Sequence, residues 1–191
     1  MHELLYIHGF NSSGQSQKAL ETRDWFQRHH PRTVIHTPSL PNDPEGALIL
    51  LEKTVKTCHH RPALIGSSMG GFFATILSER YDLPAVLVNP AVHPHRLLRH
   101  YIGENVNPQT GARYVLEERH IEVLRAMEVS DIAHPERLWV LLKAADETLD
   151  AQLAIRWYAG CAMEVEPGGN HAFEDYATWL PEIYAFLQAR I

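Results

Sequence analysis

The chain has 191 residues, 45% of them hydrophobic and 21% charged, which is the composition of an ordinary globular protein with enough residues for a three-layer core. Its 17 Lys and Arg and 23 Asp and Glu give a net charge of −6, which argues against nucleic acid or an anionic membrane as a partner. No apolar run approaches the ~18 residues of a membrane span. The N-terminal residues lack the pattern of a signal peptide, and the 2 cysteines show no disulfide or motif spacing. We therefore expect a cytoplasmic protein.

Short apolar segments alternate with helical patterns along the chain. The segments with the character of buried strands are 4–7, 33–37, 63–65, 85–88, 138–142 and 162–166. Helical spacing of apolar residues predicts helices between them, among them 44–60 and 149–160, and an amphipathic helix over 173–191. This alternation predicts βαβ units, and therefore one mainly parallel sheet with helices on both faces. We expect an α/β protein, a three-layer α/β/α sandwich in a single domain over residues 1–191.

One crossover is longer than the fold needs. Residues 91–137 span about 45 positions, where a crossover between parallel strands takes about a dozen. Helices are predicted at 95–101 and 114–127, joined by a turn at 107–111. The segment is either a decorated edge helix or a short helical cap beside a site. Because it leaves the carboxyl end of a strand, we favour the cap.

The segment GSSMG at 66–70 follows the third predicted strand and opens a helix. It fits Gly-x-Ser-x-Gly, the nucleophile elbow, in which a serine sits on a strained turn with its hydroxyl exposed. Glycines at the flanking positions avoid a collision where the helix passes close to the strand. The pattern also occurs by chance in glycine-rich turns, but its place between strand and helix favours Ser68 as a nucleophile.

Two further residues complete the order Ser, Asp, His of an α/β-hydrolase triad. Asp146 follows the fifth predicted strand and His171 follows the sixth, so both should reach the edge of the sheet where Ser68 lies. His171 would take the serine proton, and Asp146 would orient the imidazole and stabilise its cation. Glu147 or Asp150 could supply the carboxylate instead, and Asp146 would then only cap a helix.

Backbone donors for a tetrahedral oxyanion are also predicted. The residue after the nucleophile, Met69, offers one N–H, and Phe10 in the loop after the first strand offers another. His8 and Gly9 turn that loop, although the same residues also suit an ordinary strand-to-helix connection.

The sequence favours no metal and no organic cofactor. The pair at 29–30 and the cluster at 58–60 hold histidines and a cysteine, but each lies at a predicted helix end and lacks a partner at metal-site spacing. No phosphate-binding glycine loop is present. The expected partner is a small-molecule ester or thioester.

Several motifs together identify a family resemblance. They are HGFNSS at 8–13, GSSMGG at 66–71, VNPAV at 88–92, NPQTG at 107–111, ERHI at 118–121 and GGNHAF at 168–173. With them the chain resembles the small bacterial YqiA-type esterases of the α/β-hydrolase superfamily over nearly its whole length. The resemblance implies carboxylic-ester hydrolysis, extending to acyl thioesters, with Ser68, Asp146 and His171 as the triad. Compared with the wider superfamily, the chain lacks room for the antiparallel hairpin that usually precedes the first predicted strand, the one that leads into the motif at 8–13. It also lacks a large separate lid.

These observations predict a serine esterase that works through an acyl-enzyme on Ser68. An acyl-CoA or other thioesterase with the same triad is one alternative, and a cation at the pocket mouth such as Arg96, Arg99 or Arg113 would favour it. A hydrolase-fold binding protein without turnover is the alternative from another class.

Overall fold

A computed structural model describes all residues from Met1 to Ile191. The strands of its main sheet are β1 Glu3–Ile7, β2 Val34–His36, β3 Ala63–Ser67, β4 Ala85–Val88, β7 Leu138–Lys143 and β8 Ala162–Glu166. These 6 strands lie in the order β2-β1-β3-β4-β7-β8, and every neighbouring pair is parallel. The predicted parallel α/β sheet is confirmed, with each strand within a few residues of its expected place.

Helices cover both faces of this sheet. They are α1 Gln17–His29, α2 Pro44–Thr57, α3 Met69–Tyr81, α4 Pro94–Leu98, α5 Glu118–Met127, α6 Ala151–Trp157 and α7 Leu180–Gln188. Single 3-10 turns lie at Arg99–Tyr101, Pro135–Arg137 and Tyr176–Trp179. No helix of the structure combines the length and the apolar character needed to cross a bilayer.

Alternate side chains of the strands fill two separate cores. Leu5 and Ile7 of β1 belong to a cluster of 24 buried residues that includes side chains of α2, α3, α5 and α6. Leu4 and Tyr6 belong to a cluster of 14 buried residues with side chains of α1 and α7. Because successive residues of a strand point to opposite faces, these two clusters give the three-layer arrangement that the sequence predicts.

The segment between β4 and β7 holds a hairpin that the sequence pattern does not predict. The strands β5, Gly103–Val106, and β6, Arg113–Leu116, pair antiparallel. The predicted helix over 114–127 was therefore wrong at its start, because residues 114–116 are extended and α5 begins only at Glu118. A capping box between Glu117 and His120 fixes that start, since the Glu117 N–H donates to His120 Nδ1 at 2.9 Å.

Candidate active site

Ser68 lies on a sharp turn between β3 and α3. Its φ of 57° and ψ of −120° form a combination that residues other than glycine rarely adopt. The end of β4 holds this turn in place, because the Ser68 N–H donates to the Val88 carbonyl at 3.0 Å and the Ser68 carbonyl accepts from Ala91 N–H at 2.9 Å. The strain is thus maintained by backbone hydrogen bonds on both sides of the serine.

The glycines of the motif are required by close backbone contacts. A Cβ at Gly70 would lie 1.9 Å from the carbonyl oxygen of Ile7, and a Cβ at Gly66 would lie 2.4 Å from the carbonyl oxygen of Gly70. Helix α3 therefore begins directly against β1 and β3. Any larger residue would push its first turn, and Ser68 with it, away from the sheet.

Ser68, His171 and Asp146 come together at the carboxyl ends of three strands. His171 Nε2 lies 3.1 Å from Ser68 Oγ, and His171 Nδ1 lies 2.7 Å from Asp146 Oδ2. The imidazole is 23% exposed, while the Asp146 side chain is only 2% exposed. Ser68 and His171 are both partly exposed to solvent, whereas the Asp146 carboxylate is buried.

The electrostatic environment keeps Asp146 ionised. Burial alone would raise its pKa, but hydrogen bonds from His171 and from the backbone N–H groups of Leu149 and Thr148 outweigh burial and hold the pKa below the usual value. Those two N–H groups both donate to Oδ1 at 2.8 Å. Each oxygen of the carboxylate thus has its own partners, with Oδ2 left for the imidazole.

The other two carboxylates considered from the sequence lie elsewhere. Glu147 Oε2 accepts from the backbone N–H of His171 at 3.0 Å and does not reach the ring. Asp150 is the N-cap of α6 and accepts from Gln152 N–H at 2.8 Å. Of the three acids, Asp146 alone contacts the imidazole.

A buried asparagine connects the strands that carry these residues, and the sequence analysis did not assign it a role. Asn89 is 2% exposed and has a φ of 40°. Its Oδ1 accepts from Lys143 N–H at 2.9 Å, and its Nδ2 donates to the Asn170 carbonyl at 3.1 Å. The side chain therefore joins β4, β7 and the loop of His171. Its position after a buried strand and before a proline is the sequence signal that could have identified it.

Lys143 fixes the same loop from the other side. Its ammonium group pairs with Glu166 and, at 2.7 Å, with Asp175, and it lies 4.4 Å from the centre of the Phe173 ring. Burial would lower the pKa of Lys143, but these hydrogen bonds and ion pairs raise it above its ordinary value. Because Glu166 and Asp175 flank the His171 loop in sequence, a single charged lysine ties both ends of that loop to β7.

The predicted oxyanion donors flank the serine. A Cβ at Gly9 would lie 3.1 Å from Ser68 Cβ, so the loop after β1 passes directly beside the serine. The Phe10 N–H in this loop donates to no group of the protein. Met69 is the first residue of α3, so its N–H has no acceptor within the helix. Both N–H groups are free to bind an oxygen atom.

His8 anchors the loop that carries Phe10. Its Nε2 accepts from Leu40 N–H at 2.9 Å, and its Nδ1 lies 2.8 Å from the Gly9 carbonyl oxygen. Burial lowers the pKa of His8. Because Nε2 accepts a hydrogen bond and so carries no proton, the ring is neutral, and it joins the loop after β1 to the loop before α2.

Two clefts meet at the loop after β1. The first is apolar, with a volume of about 430 Å³ including its open mouth, and Gly9, Phe10 and Met69 are among its lining residues. Its remaining apolar wall is formed by Leu40, Pro41, Pro44, Ala47, Phe73, Leu98 and Leu116. Leu98 and Leu116 come from the long crossover, so this segment forms part of the pocket wall.

The second cleft is polar and contains Ser68 and His171. Its lining also includes Tyr6, Ser12, Gln17, Lys18, Gln109 and Ala172. The hairpin of β5 and β6 is tied to this cleft, since Ser13 Oγ donates to Gln109 Oε1 at 3.0 Å. The three arginines considered as pocket cations line neither cleft, and Arg99, for example, pairs instead with Glu118 at 2.8 Å.

The structure also brings partners to Cys58 that the sequence did not reveal. His36 Nε2 lies 3.7 Å from Cys58 Sγ and 2.8 Å from Glu3 Oε2. Burial would raise the pKa of Glu3, but hydrogen bonds from Cys58, His60 and His36 lower it to about 2. These hydrogen bonds explain why Glu3, His36 and Cys58 lie together. The group is at the end of β1 opposite to Ser68. The absence of a metal remains a prediction.

The parallel sheet and the serine elbow define an α/β-hydrolase fold, and solved structures share it. Est1E from Butyrivibrio proteoclasticus, with ferulic acid bound, superposes with a TM-score of 0.73 at 15% identity, covering 100% of this chain and 89% of that one. Mouse alpha/beta hydrolase domain-containing protein 10 gives a TM-score of 0.74 at 13% identity, covering 98% and 90%. The esterase domain of a Rhodothermus marinus protein gives 0.69 at 16% identity, covering 98% and 87%.

The chain belongs to the family UPF0227, described as an uncharacterised protein family, whose model matches residues 3–188. A UPF0227 protein of Shewanella oneidensis is 26% identical, with 96% of this chain and 98% of that protein covered. The UPF0227 protein YcfP of Salmonella paratyphi B is 25% identical, with 96% and 97% covered. The family inferred from the motifs is thereby confirmed over the full length of the chain.

Proposed function

We propose that the protein is a serine hydrolase that cleaves carboxylic esters through an acyl-enzyme on Ser68. The observation that carries this proposal is the continuous contact from Ser68 Oγ through His171 to Asp146 on a strained elbow. The folds of Est1E and of the Rhodothermus esterase domain support it. A protein that only binds ligands would not need a serine hydroxyl in contact with an imidazole that is itself hydrogen-bonded to a carboxylate.

The first half-reaction forms the acyl-enzyme. Ser68 Oγ attacks the carbonyl carbon while His171 Nε2 takes the serine proton, and a C–O bond forms as the carbonyl π electrons move to oxygen. The bond to the leaving oxygen then breaks, and His171 returns the proton to that oxygen. The products are an alcohol and an acyl group esterified to Ser68.

The second half-reaction repeats these steps with water. His171 takes a proton from water, whose oxygen attacks the acyl carbon, and the bond to Ser68 Oγ breaks as the proton passes to Ser68. Asp146 stays ionised throughout and stabilises the imidazolium that forms in each half. The low pKa of its buried carboxyl group suits this role.

The N–H groups of Phe10 and Met69 would bind the oxyanion of each tetrahedral intermediate. A donor placed in advance at such a position contributes about 3–4 kcal/mol to lowering the barrier. The adjoining apolar pocket would take the acyl chain, because Phe10 and Met69, the proposed oxyanion donors, line it. The three arginines that would have favoured a phosphorylated thioester, Arg96, Arg99 and Arg113, line neither cleft.

The test is hydrolysis of p-nitrophenyl esters of increasing acyl length by the wild-type protein and by Ser68→Ala. We expect kcat/KM to fall by at least ~10³-fold in the variant, with the acyl-length optimum of the wild type reporting the depth of the pocket. Ser67→Ala removes the neighbouring hydroxyl of the same motif and should retain a rate within ~10-fold of wild type. Equal rates in wild type and Ser68→Ala would refute the proposal.

A further inference from the structure

We infer that the polar cleft binds an anionic group, a carboxylate or a phosphate, on the leaving-group side of the substrate, and that Lys18 is the residue that recognises it. The inference rests on the proposed ester hydrolysis and adds a substrate class to it. It is carried by Lys18, a partly buried residue that lines the cleft of Ser68 and His171 and forms no ion pair.

The position of the cleft assigns it to the leaving group. His171 must donate its proton to the departing oxygen, so the alcohol portion of the ester has to lie on the side of His171. Lys18 lines the same cleft as His171 and contacts the carbonyl of Ala172, the residue after His171. Met69 lines only the apolar pocket and Lys18 lines only the polar cleft, whereas Gly9 and Phe10 of the loop after β1 line both.

Lys18 forms no ion pair, although Glu21 and Asp146 lie close enough to favour its charged form. Its Nζ makes one hydrogen bond, to the carbonyl oxygen of Ala172 at 2.5 Å, and no carboxylate lies within ion-pair distance. An ammonium group has three N–H donors, so two remain for a ligand. Lys143 shows the contrast, because its buried charge pairs with both Glu166 and Asp175.

The nearby acidic groups are already occupied. Asp146 accepts from His171 and two backbone N–H groups, Glu147 accepts from His171 N–H, and Glu21 accepts from Gln17 Nε2 at 2.8 Å. An anion at Lys18 would therefore displace none of these carboxylates. Neutral donors from Gln17 and Gln109 line the same cleft and could complete its hydrogen bonds.

A charge-assisted hydrogen bond in a half-buried cleft should favour an anionic over a matched neutral substrate by about 10-fold or more in kcat/KM. The experiment compares 3-acetoxybenzoate with 3-acetoxybenzamide, two acetate esters of similar shape, each rate being divided by its rate of hydroxide-catalysed hydrolysis. We expect a benzoate-to-benzamide ratio of about 10 or more for the wild type, near one for Lys18→Gln, and close to wild type for Lys18→Arg. A third ester, 3-acetoxyphenyl phosphate, shows whether phosphate is preferred to carboxylate.

The controls separate recognition from loop positioning and from net charge. Lys53→Gln removes one positive charge from the exposed side of α2, outside both clefts, and should keep the wild-type ratio. If Lys18 only held the Ala172 carbonyl, Lys18→Gln would lower both rates equally and the ratio would stay unchanged, which overturns the inference. A wild-type ratio near one also overturns it while the esterase proposal stands. Hydrolysis of neither ester, together with no labelling of Ser68 by an organophosphonate, would overturn both.

Discussion

Replacing Asp146 with asparagine tests the proposed triad at its most specific contact. Oδ1 of Asp146 accepts two backbone N–H groups at 2.8 Å, so the oxygen of the asparagine amide will keep that position. The amide NH₂ group must then face His171 Nδ1, where Oδ2 now lies at 2.7 Å. Since an NH₂ group donates, it would hold His171 with Nε2 protonated, the tautomer that cannot accept a proton from Ser68.

The expected loss is large because the variant blocks the base while preserving the fold. The corresponding change in a Ser-His-Asp protease lowers kcat by ~10⁴, and ~10⁴ equals about 5.4 kcal/mol in activation free energy. We expect a similar fall in kcat for Asp146→Asn on p-nitrophenyl acetate, measured under saturating ester. Circular dichroism and the melting temperature should stay close to wild type, since asparagine retains both backbone hydrogen bonds.

Two neighbouring acids provide matched controls. Glu147→Gln still offers an oxygen to the His171 N–H, and Asp150→Asn still caps α6, so each should retain kcat within about 3-fold. If either of these variants lost ~10³-fold or more while Asp146→Asn remained active, the assignment of Asp146 would be refuted.

Three further predictions concern the framework around the site. Gly70→Ala should destabilise the fold by several kcal/mol, because its Cβ would meet a backbone oxygen at 1.9 Å, whereas Gly160→Ala, with contacts no closer than 3.4 Å, should melt close to wild type in a thermal scan. Asn89→Ala should cost about 1–3 kcal/mol in chemical denaturation, since the buried groups it binds lose their partner, and a wild-type midpoint would contradict this. Glu3 has a pKa lowered from 4.5 to about 2, so its contribution of roughly 3 kcal/mol is present above pH 4.5 and is lost as the pH falls towards 2. Glu3→Gln should therefore lower the unfolding free energy at pH 7, and the difference from wild type should shrink across that range; a difference independent of pH would refute the assignment.

The sheet was predictable because its strands are short, contiguous apolar runs buried on both faces. The C-terminal segment was predicted from the spacing of Phe173, Tyr176, Leu180, Ile183 and Leu187, and all five are buried. In the structure, however, Phe173 has a φ of 53° and α7 itself starts at Leu180. Apolar periodicity identifies the buried face more reliably than it identifies the helix bounds.

The hairpin of β5 and β6 shows why the crossover was harder to predict. In β6 the half-exposed Val115 lies between Tyr114 and Leu116, which pack on the core, so the run 114–116 is apolar throughout and lacks the alternation of a half-buried strand. The turn of the hairpin is instead held by local polar contacts, with Asn107 Oδ1 accepting from the N–H groups of Gln109 and Thr110. Such contacts depend on backbone geometry rather than on hydrophobic spacing.

The residues proposed for catalysis were predictable because the order Ser, Asp, His along the chain, with each residue just after a strand, is the pattern of an α/β-hydrolase triad. Asn89, Lys143 and Lys18 were not, because their significance lies in contacts between segments distant in sequence. Lys18, for example, meets the carbonyl of Ala172, 154 residues away. Nothing within helix α1 distinguishes this lysine from an ordinary surface residue.

The most direct test of the central claim is intact-mass and peptide spectrometry after treatment with a fluorophosphonate. A serine activated by His171 should take up one phosphonyl group per chain, on the peptide that contains Ser68. Both Ser68→Ala and Asp146→Asn should react far more slowly, because the first lacks the nucleophile and the second lacks the base. An adduct on another residue, or none in the wild-type protein, would contradict the assignment of Ser68 as the nucleophile.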